Sequence, residues 1–142
     1  MEEASLRRVF PLLLDDIEYL DARGLAWETL FEEPSRWILV RNFPIPEGYN
    51  VSYADIAILL PDSYPTTQID MAYVFPALSL TSGAAINNVD AIQALDNRSF
   101  QRWSRHRTQS NPWRPGLDNL GTHIELIEEC FLRETTKNGN TN

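Results

Sequence analysis

A serine and a histidine in the last third of the chain have the residue types and the spacing for acyl transfer. Ser104 and His106 are two residues apart, and in an extended chain such side chains share a face. A hydroxyl becomes a useful nucleophile when a neighbouring base accepts its proton, and histidine is a common base. The pair therefore predicts a nucleophile and its base. The alternative is structural: Ser104 would end a turn and His106 would make a structural hydrogen bond.

Arginines surround this pair in an otherwise acidic chain. The whole chain has 12 Lys and Arg residues against 20 Asp and Glu residues, a net charge of −8 at pH 7, and this argues against nucleic-acid and anionic-membrane partners. No acidic residue lies between Asp96 and Asp118. Guanidinium groups in this stretch could bind the acidic face of a partner, the C-terminal tail of a partner protein or a phosphate, or they could pair with nearby acids. The candidate partner-binding residues are Arg102, Arg105, Arg107 and Arg114.

The remaining cysteine and histidine residues favour structural roles. Cys130 is the only cysteine, which excludes an intrachain disulfide, and it follows Glu128 and Glu129. Neighbouring carboxylates raise the pKa of a thiol, so we expect Cys130 to be buried and inert. His106 and His123 are the two histidines, and no further Cys or His lies at the spacing of a zinc site. We therefore expect neither a metal nor another cofactor.

The order of periodic segments predicts an α+β fold of one domain over residues 1–134, followed by a disordered polar tail over 135–142. The length of 142 residues is that of a single domain. The acidic start, without a long apolar run after it, leads us to expect no secretory signal and a cytoplasmic protein. The first predicted element is a helix over 4–22, with Phe10 as an alternative start because Pro11 fits the first turn of a helix. Strands over 26–31, 37–42, 53–59 and 72–75 follow and form a four-stranded antiparallel meander. An irregular segment from 79 onward and a helix over 118–133 complete the prediction.

Several of these segments resemble the ubiquitin-conjugating enzyme (UBC) fold over roughly residues 4–133. Strand and turn segments at 37–40, 46–49 and 54–60 are similar to that family's second strand, proline-to-tyrosine turn and third strand. The most recognisable segment is Pro61-Asp62-Ser63-Tyr64-Pro65, and Trp113-Arg114-Pro115 resembles the Trp-x-Pro that leads into the next helix. Within this family the chain most resembles the divergent bacterial branch called prokaryotic family E conjugating-enzyme-like proteins. The segments that carry this resemblance are Asp70-Met71, Arg102-Trp103-Ser104-Arg105-His106 and Trp113–Asp118.

The chain departs from the family at the catalytic position. It has no His-Pro-Asn motif, and no cysteine lies between Tyr64-Pro65 and Trp113. In the family the nucleophilic cysteine comes shortly before that tryptophan, which corresponds here to the region of Ser104 and Arg105. The ordinary thioester mechanism therefore does not carry over unchanged.

The resemblance implies two functions that differ in chemistry. In the first, the protein accepts a ubiquitin-like protein from a ThiF-like activating enzyme and transfers it through an oxyester of Ser104, with His106 as the base and Asn111 as an oxyanion donor. In the second, it is a catalytically inactive adaptor that binds the ubiquitin-like protein or the activating enzyme. A JAB-type metallopeptidase is a further partner that the resemblance implies.

Overall fold

Two helices and six strands make up the part of the chain described by a computed structural model, which covers residues 5–139 and side chains as far as residue 136. In chain order they are α1 (Leu14–Ala22), β1 (Ala26–Glu32), β2 (Ser35–Pro44), β3 (Tyr53–Leu60), β4 (Ala72–Phe75), β5 (Ile92–Leu95), β6 (Arg98–Trp103) and α2 (Leu120–Gly139). The predicted α+β class is confirmed.

The strands form one antiparallel sheet in the order β1-β2-β3-β4-β6-β5. The first four strands lie in chain order, with ends within two residues of the expected ones. The prediction of a four-stranded sheet is wrong, because the segment expected to be irregular contributes a hairpin whose strand β6 pairs with β4. This places β6, and the candidate residues that follow it, beside β4.

The residues of the turn between β5 and β6 explain why this hairpin was not predicted from the sequence. Asp96 and Asn97 connect β5 to β6 with φ angles of 53° and 59°, the positive values that a tight two-residue hairpin requires at both positions. Asp and Asn tolerate this region better than other residues with a side chain. Since neither residue is glycine, the turn signal is weaker than Asn-Gly. β5 also exposes Ile92, so its hydrophobic pattern does not mark a buried strand.

The first helix is shorter than predicted. Leu6 and Val9, which suggested a helix from residue 4, belong to an extended segment; Ala4 itself lies outside the described residues. The backbone N–H of Val9 donates to the carbonyl of Thr29 at 3.1 Å, and the N–H of Thr29 donates to the carbonyl of Arg7 at 3.0 Å. This parallel pairing with β1 uses the carbonyl of Arg7 and the N–H of Val9, and the helix begins only at Leu14.

The second helix begins two residues later than predicted and extends further. It runs from Leu120 to Gly139, so residues 135–139, assigned from sequence to a polar tail, are helical. Residues 140–142 lie outside the described part of the chain. The buried stripe of α2, which includes Leu120, Ile124, Ile127 and Phe131, packs into the main core against α1 and the sheet.

A second, smaller core lies on the sheet face away from the helices. Its residues alternate along the strands with those of the main core and are almost completely buried: Leu30, Trp37, Leu39, Ala57, Tyr73, Leu95 and Phe100. A sheet face with no helix on it becomes buried when the sheet curls over it. The backbone N–H of Asp96 donates to the Glu32 carboxylate at 2.8 Å, which joins the end of β1 to the β5–β6 turn. The two edges of the sheet therefore meet.

Ion pairs close one end of this curl. Arg7 contacts Glu28 and Asp96, each at 2.9 Å, so the extended N-terminal segment bridges both sheet edges. The complete ring alternates in charge through Arg7, Glu28, Arg41, Asp55, Arg98 and Asp96. At the other end of the curl, a pocket of about 420 Å³ opens between Leu59, Pro61, Asp70, Met71 and Tyr73.

Candidate functional site

All candidate residues except Arg102, which is on β6, lie on the connection between β6 and α2, and hydrogen bonds fasten this connection to the rest of the fold. The backbone N–H of Ser104 donates to the carbonyl of Asn88 at 3.0 Å, and the carbonyl of Arg105 accepts from the N–H of Met71 at 3.0 Å. Further along, the indole N–H of Trp113 donates to the Pro65 carbonyl at 3.0 Å. The connection is thereby held against the segment that precedes β5 at Ser104, and against the segment that precedes β4 at Arg105 and Trp113.

Ser104 is partly buried, and its hydroxyl is not committed to another group. Within residues 5–139 its Oγ takes part in no hydrogen bond, whereas its carbonyl accepts one from Nη1 of Arg105 at 3.2 Å. A hydroxyl in this state is available as a nucleophile. The structure offers it no base through a direct hydrogen bond, and the pairing of Ser104 with His106 therefore remains a prediction.

His106 contacts a carboxylate from another part of the chain. Its Nδ1 lies 3.3 Å from Oδ1 of Asp70, and the side chain is 52% exposed. Gln68 donates from Nε2 to both carboxylate oxygens of Asp70, at 3.1 and 3.3 Å. Because Nδ1 faces Asp70, the other ring nitrogen, Nε2, is the one left for proton transfer.

Asn111 occupies an exposed turn later in the connection. Its backbone N–H donates to the carbonyl of Thr108 at 3.0 Å, and its side-chain oxygen accepts from Nη1 of Arg107 at 3.3 Å. Neither bond uses the side-chain N–H groups of Asn111, which are the donors that an oxyanion would need. The turn and Arg107 nevertheless restrict the position of the residue.

Two of the four candidate arginines serve the internal structure. The Arg107 side chain is only 5% exposed and lies 3.5 Å from the Asp118 carboxylate, which is 3% exposed. Arg105 donates to the carbonyl of Asn87 at 3.1 Å and its guanidinium lies 4.7 Å from the ring centre of Trp103. These contacts hold the connection in place, which is a role that sequence reasoning did not assign to them.

The other two arginines are better placed for a partner. Arg114 has a side chain that is 63% exposed and makes a 3.6 Å contact with Asp118. Arg102 lies opposite Tyr73 in the pairing of β4 with β6, and no ion pair to it is found within residues 5–139. Their guanidinium groups remain candidates for binding a carboxylate from outside.

The Asp118 carboxylate binds two residues of the connection, Arg107 and Arg114. Burial acts to raise the pKa of its carboxyl, but the backbone N–H of Arg114 and the charge of Arg107 outweigh burial, so the pKa lies below its usual value. The Arg114 N–H donates to Oδ2 of Asp118 at 2.7 Å. Asp118 is therefore an ionised carboxylate satisfied inside the fold, and it fixes the last turn before α2.

The thiol and the second histidine are buried in α2. Cys130 is 5% exposed, which confirms the predicted burial, and burial raises the pKa of its thiol. His123 contacts the carbonyl of Met71 through Nε2 at 2.8 Å. Burial lowers the pKa of His123 to about 4, so the neutral ring donates from Nε2. Among the described residues, no group of three or more His, Cys, Asp or Glu side chains is arranged to hold a metal ion.

A tyrosine in the Tyr-Pro segment links both helices beneath the site. The Tyr64 hydroxyl donates to Oδ2 of Asp16 in α1 at 2.6 Å and accepts from the backbone N–H of Leu120 at 2.7 Å. Burial raises the pKa of Asp16. Sequence reasoning noted Tyr64 only as part of a motif, and it missed Asp16 and the contact between Asp70 and His106, because these partners are distant in sequence.

Comparison with known proteins identifies the family of the chain. No curated protein sequence and no solved structure gives a significant match, and no helix among the described residues is long and apolar enough to cross a membrane. The family model described as prokaryotic E2 family E matches residues 12–134. E2-like membership indicates a role in ubiquitin-like conjugation and, in general, interaction with a ubiquitin-like protein and its activating enzyme. On this match over most of its length, the chain belongs to prokaryotic E2 family E.

Proposed function

We propose that this protein accepts a ubiquitin-like protein from a ThiF-type activating enzyme and carries it as an oxyester on Ser104 before transfer to an amine or hydroxyl. The observation that supports this proposal is the Ser104 hydroxyl, partly buried and without a hydrogen bond within residues 5–139, two residues from a histidine that a carboxylate holds at Nδ1. A ubiquitin-like protein and a ThiF-type activating enzyme are the proposed partners, and a JAB-type metallopeptidase would cleave the product.

The proposed step is an exchange of one acyl bond for another. Ser104 Oγ forms a bond to the C-terminal carbonyl carbon of the ubiquitin-like protein, and the thioester bond to the activating enzyme breaks. The hydroxyl proton passes to Nε2 of His106 and then to the departing thiolate. The products are a serine ester and a free thiol, and no oxidant or metal is required. Asn111 would donate its side-chain N–H to the oxyanion.

Cys130 is a poor candidate for the ordinary thioester. It lies on α2 with 5% of its surface exposed, and burial raises the pKa of its thiol. A thiol reacts as the thiolate, so burial that disfavours ionisation also disfavours acyl transfer to sulfur.

Of the four candidate arginines, Arg102 and Arg114 would contact the incoming tail. Arg114 is largely exposed, and Arg102 lies on the last strand before Ser104. Arg105 and Arg107 would act indirectly, since their contacts hold the connection in which Ser104 and His106 lie.

A catalytically inactive adaptor is the second candidate function, and one observation favours it. No hydrogen bond joins Ser104 to His106 in the described part of the chain, and the exposed His106 ring is turned toward Asp70 instead. An adaptor would bind the ubiquitin-like protein or the activating enzyme through the same surface without forming a covalent bond.

Intact-protein mass spectrometry after incubation with the activating enzyme, ATP and the ubiquitin-like protein separates the two functions. The carrier predicts an adduct that resists thiol reductants and yields to hydroxide. Ser104→Ala should abolish this adduct, and Ser104→Cys should give one that reductants remove. His106→Ala should slow its formation by about 10²–10⁴-fold, the usual contribution of a positioned base.

Ser110→Ala is the matched control, because Ser110 is an exposed serine of the same connection whose hydroxyl pairs with Thr108 at 3.0 Å. It should leave adduct formation unchanged. Retained binding without an adduct in any variant would support the adaptor instead. An adduct that persists in Ser104→Ala and disappears in Cys130→Ala would move the chemistry to α2 and contradict the proposed role of Ser104.

A further inference from the structure

The Asp70 carboxylate is held in a fixed orientation toward the candidate base. Nε2 of Gln68 donates to both of its oxygens, at 3.1 and 3.3 Å, and Oδ1 lies 3.3 Å from Nδ1 of His106. An Asp side chain with both oxygens engaged by an amide has few alternative rotamers that keep the same bonds. These contacts favour the rotamer in which Oδ1 faces His106.

The backbone beside Asp70 is fastened to the same connection that carries His106. The N–H of Met71 donates to the carbonyl of Arg105 at 3.0 Å, and the Met71 carbonyl contacts Nε2 of His123 at 2.8 Å. Met71 also adopts a φ of 64°, in the left-handed region that a residue with a side chain rarely enters. These bonds keep Asp70 and His106 in register, although 36 residues separate them in sequence.

We propose that Asp70 is a positioning residue, which holds His106 in the tautomer protonated at Nδ1 and so leaves Nε2 free to accept the Ser104 proton. This inference rests on the proposed carrier function and adds a third group to it. The Nδ1–H donates to the carboxylate, and when Nε2 takes the proton the resulting imidazolium faces a negative charge. Neither the pair of Ser104 and His106 nor their spacing indicated this group.

The expected effect is moderate because the contact is exposed to solvent. The side chains of His106 and Asp70 are 52% and 38% exposed, so water weakens their interaction. The main contribution of Asp70 is then the choice of tautomer and ring orientation. Its loss should slow adduct formation by about fivefold at most, the factor that an exposed ion pair contributes, and by less than the loss of His106 itself.

The test uses Asp70→Asn, in which the amide can donate to Nδ1 and favour the wrong tautomer, and Asp70→Glu, which restores a carboxylate. Asp62→Asn is the matched control, since Asp62 is an exposed carboxylate of the neighbouring turn. The ¹⁵N chemical shifts of the His106 ring in the full chain report the tautomer, and intact-mass kinetics report the adduct. We expect a protonated Nδ1 in the unaltered chain and in Asp62→Asn, with normal rates. We expect a shift toward protonated Nε2 and a slower adduct in Asp70→Asn, and partial recovery of both in Asp70→Glu.

The outcomes separate this inference from the function on which it rests. A normal adduct rate in Asp70→Asn would overturn the role of Asp70 and leave the carrier function intact. A slower adduct with an unchanged His106 tautomer would also overturn it, because the loss would then be structural. If the unaltered chain forms no adduct, the carrier function fails and the role of Asp70 fails with it.

Discussion

Replacing Tyr64 with phenylalanine should destabilise the fold more than the loss of one hydroxyl suggests. The Tyr64 hydroxyl donates to Oδ2 of Asp16 at 2.6 Å and accepts from the N–H of Leu120 at 2.7 Å. Leu120 is the first residue of α2 and is fully buried, and Asp16 is 1% exposed. One oxygen atom therefore serves two buried groups, and Tyr64→Phe removes both bonds and leaves the Leu120 N–H with Asp16 alone.

The size of the effect follows from these two bonds. Each of the two bonds contributes about 1–2 kcal/mol, since both partners of the Tyr64 hydroxyl are buried. We expect the free energy of unfolding to fall by roughly 2–4 kcal/mol. For a domain of this size a change of 1 kcal/mol shifts the Tm by roughly 3–4 °C. The Tm should therefore drop by about 6–15 °C.

The loss should also depend on pH, in a direction set by Asp16. Burial raises its pKa in the folded chain, and the Tyr64 hydrogen bond opposes that rise. A carboxyl whose folded pKa is raised contributes stability below its unfolded pKa, near 4, and that contribution is lost as the pH increases through the folded pKa. Without the Tyr64 hydroxyl the pKa of Asp16 rises further. The cost of Tyr64→Phe should therefore be larger at pH 8 than at pH 5.5.

Urea unfolding followed by tryptophan fluorescence at these two pH values measures both quantities. Tyr53→Phe is the matched control, because the Tyr53 side chain lies on the surface at 60% exposure and its change should be within about 0.5 kcal/mol. A loss below 1 kcal/mol in Tyr64→Phe, or one that does not grow with pH, would refute the argument that this hydroxyl serves both helices.

Three further predictions concern other buried polar groups. Asp16→Asn should raise the urea midpoint, and the gain should increase from pH 5.5 to pH 8, since ionisation of the buried carboxyl is what the substitution removes. Arg107→Ala should lower the free energy of unfolding by about 3–5 kcal/mol, because the exposed guanidinium of Arg114 is then the one ion-pair partner left to the buried Asp118 among the described residues. Arg114→Ala removes that exposed contact instead and should change the free energy of unfolding by less than about 1 kcal/mol in the same assay. Cys130 should react with a chromogenic thiol reagent at least about 100-fold more slowly in the native protein than in urea, and fast native labelling would contradict its inertness.

Local sequence patterns predicted the first four strands but not the complete sheet. The strands β1 to β3 are separated by turns that contain proline, and the aromatic and β-branched residues of these strands are typical of β-structure. The hairpin of β5 and β6 lacks such marks, because its turn uses Asp96-Asn97 and its edge strand exposes Ile92. The spacing of Leu6 and Val9 fits a helix, but backbone pairing with β1 prevails there.

The candidate site was predictable in its residue types but not in its contacts. Ser104 and His106 are close in sequence, so their shared segment was visible. The partner of His106 is 36 residues away, and only the pairing of β4 with β6 brings the two together. The burial of Arg107 likewise depends on Asp118 and the packing of the connection, whereas charge alone suggested an exposed residue.

The two ends of the curled sheet differ, since ion pairs close one end and a pocket opens at the other. Along β3, Asp55, Ala57 and Leu59 alternate on the face away from the helices. Asp55 belongs to the ion-pair ring that closes one end, Ala57 lies in the small core, and Leu59 lines the pocket of about 420 Å³ at the other end. Asp70 lines that same pocket and contacts His106. One carboxylate therefore borders both the pocket at the open end of the curl and the His106 ring.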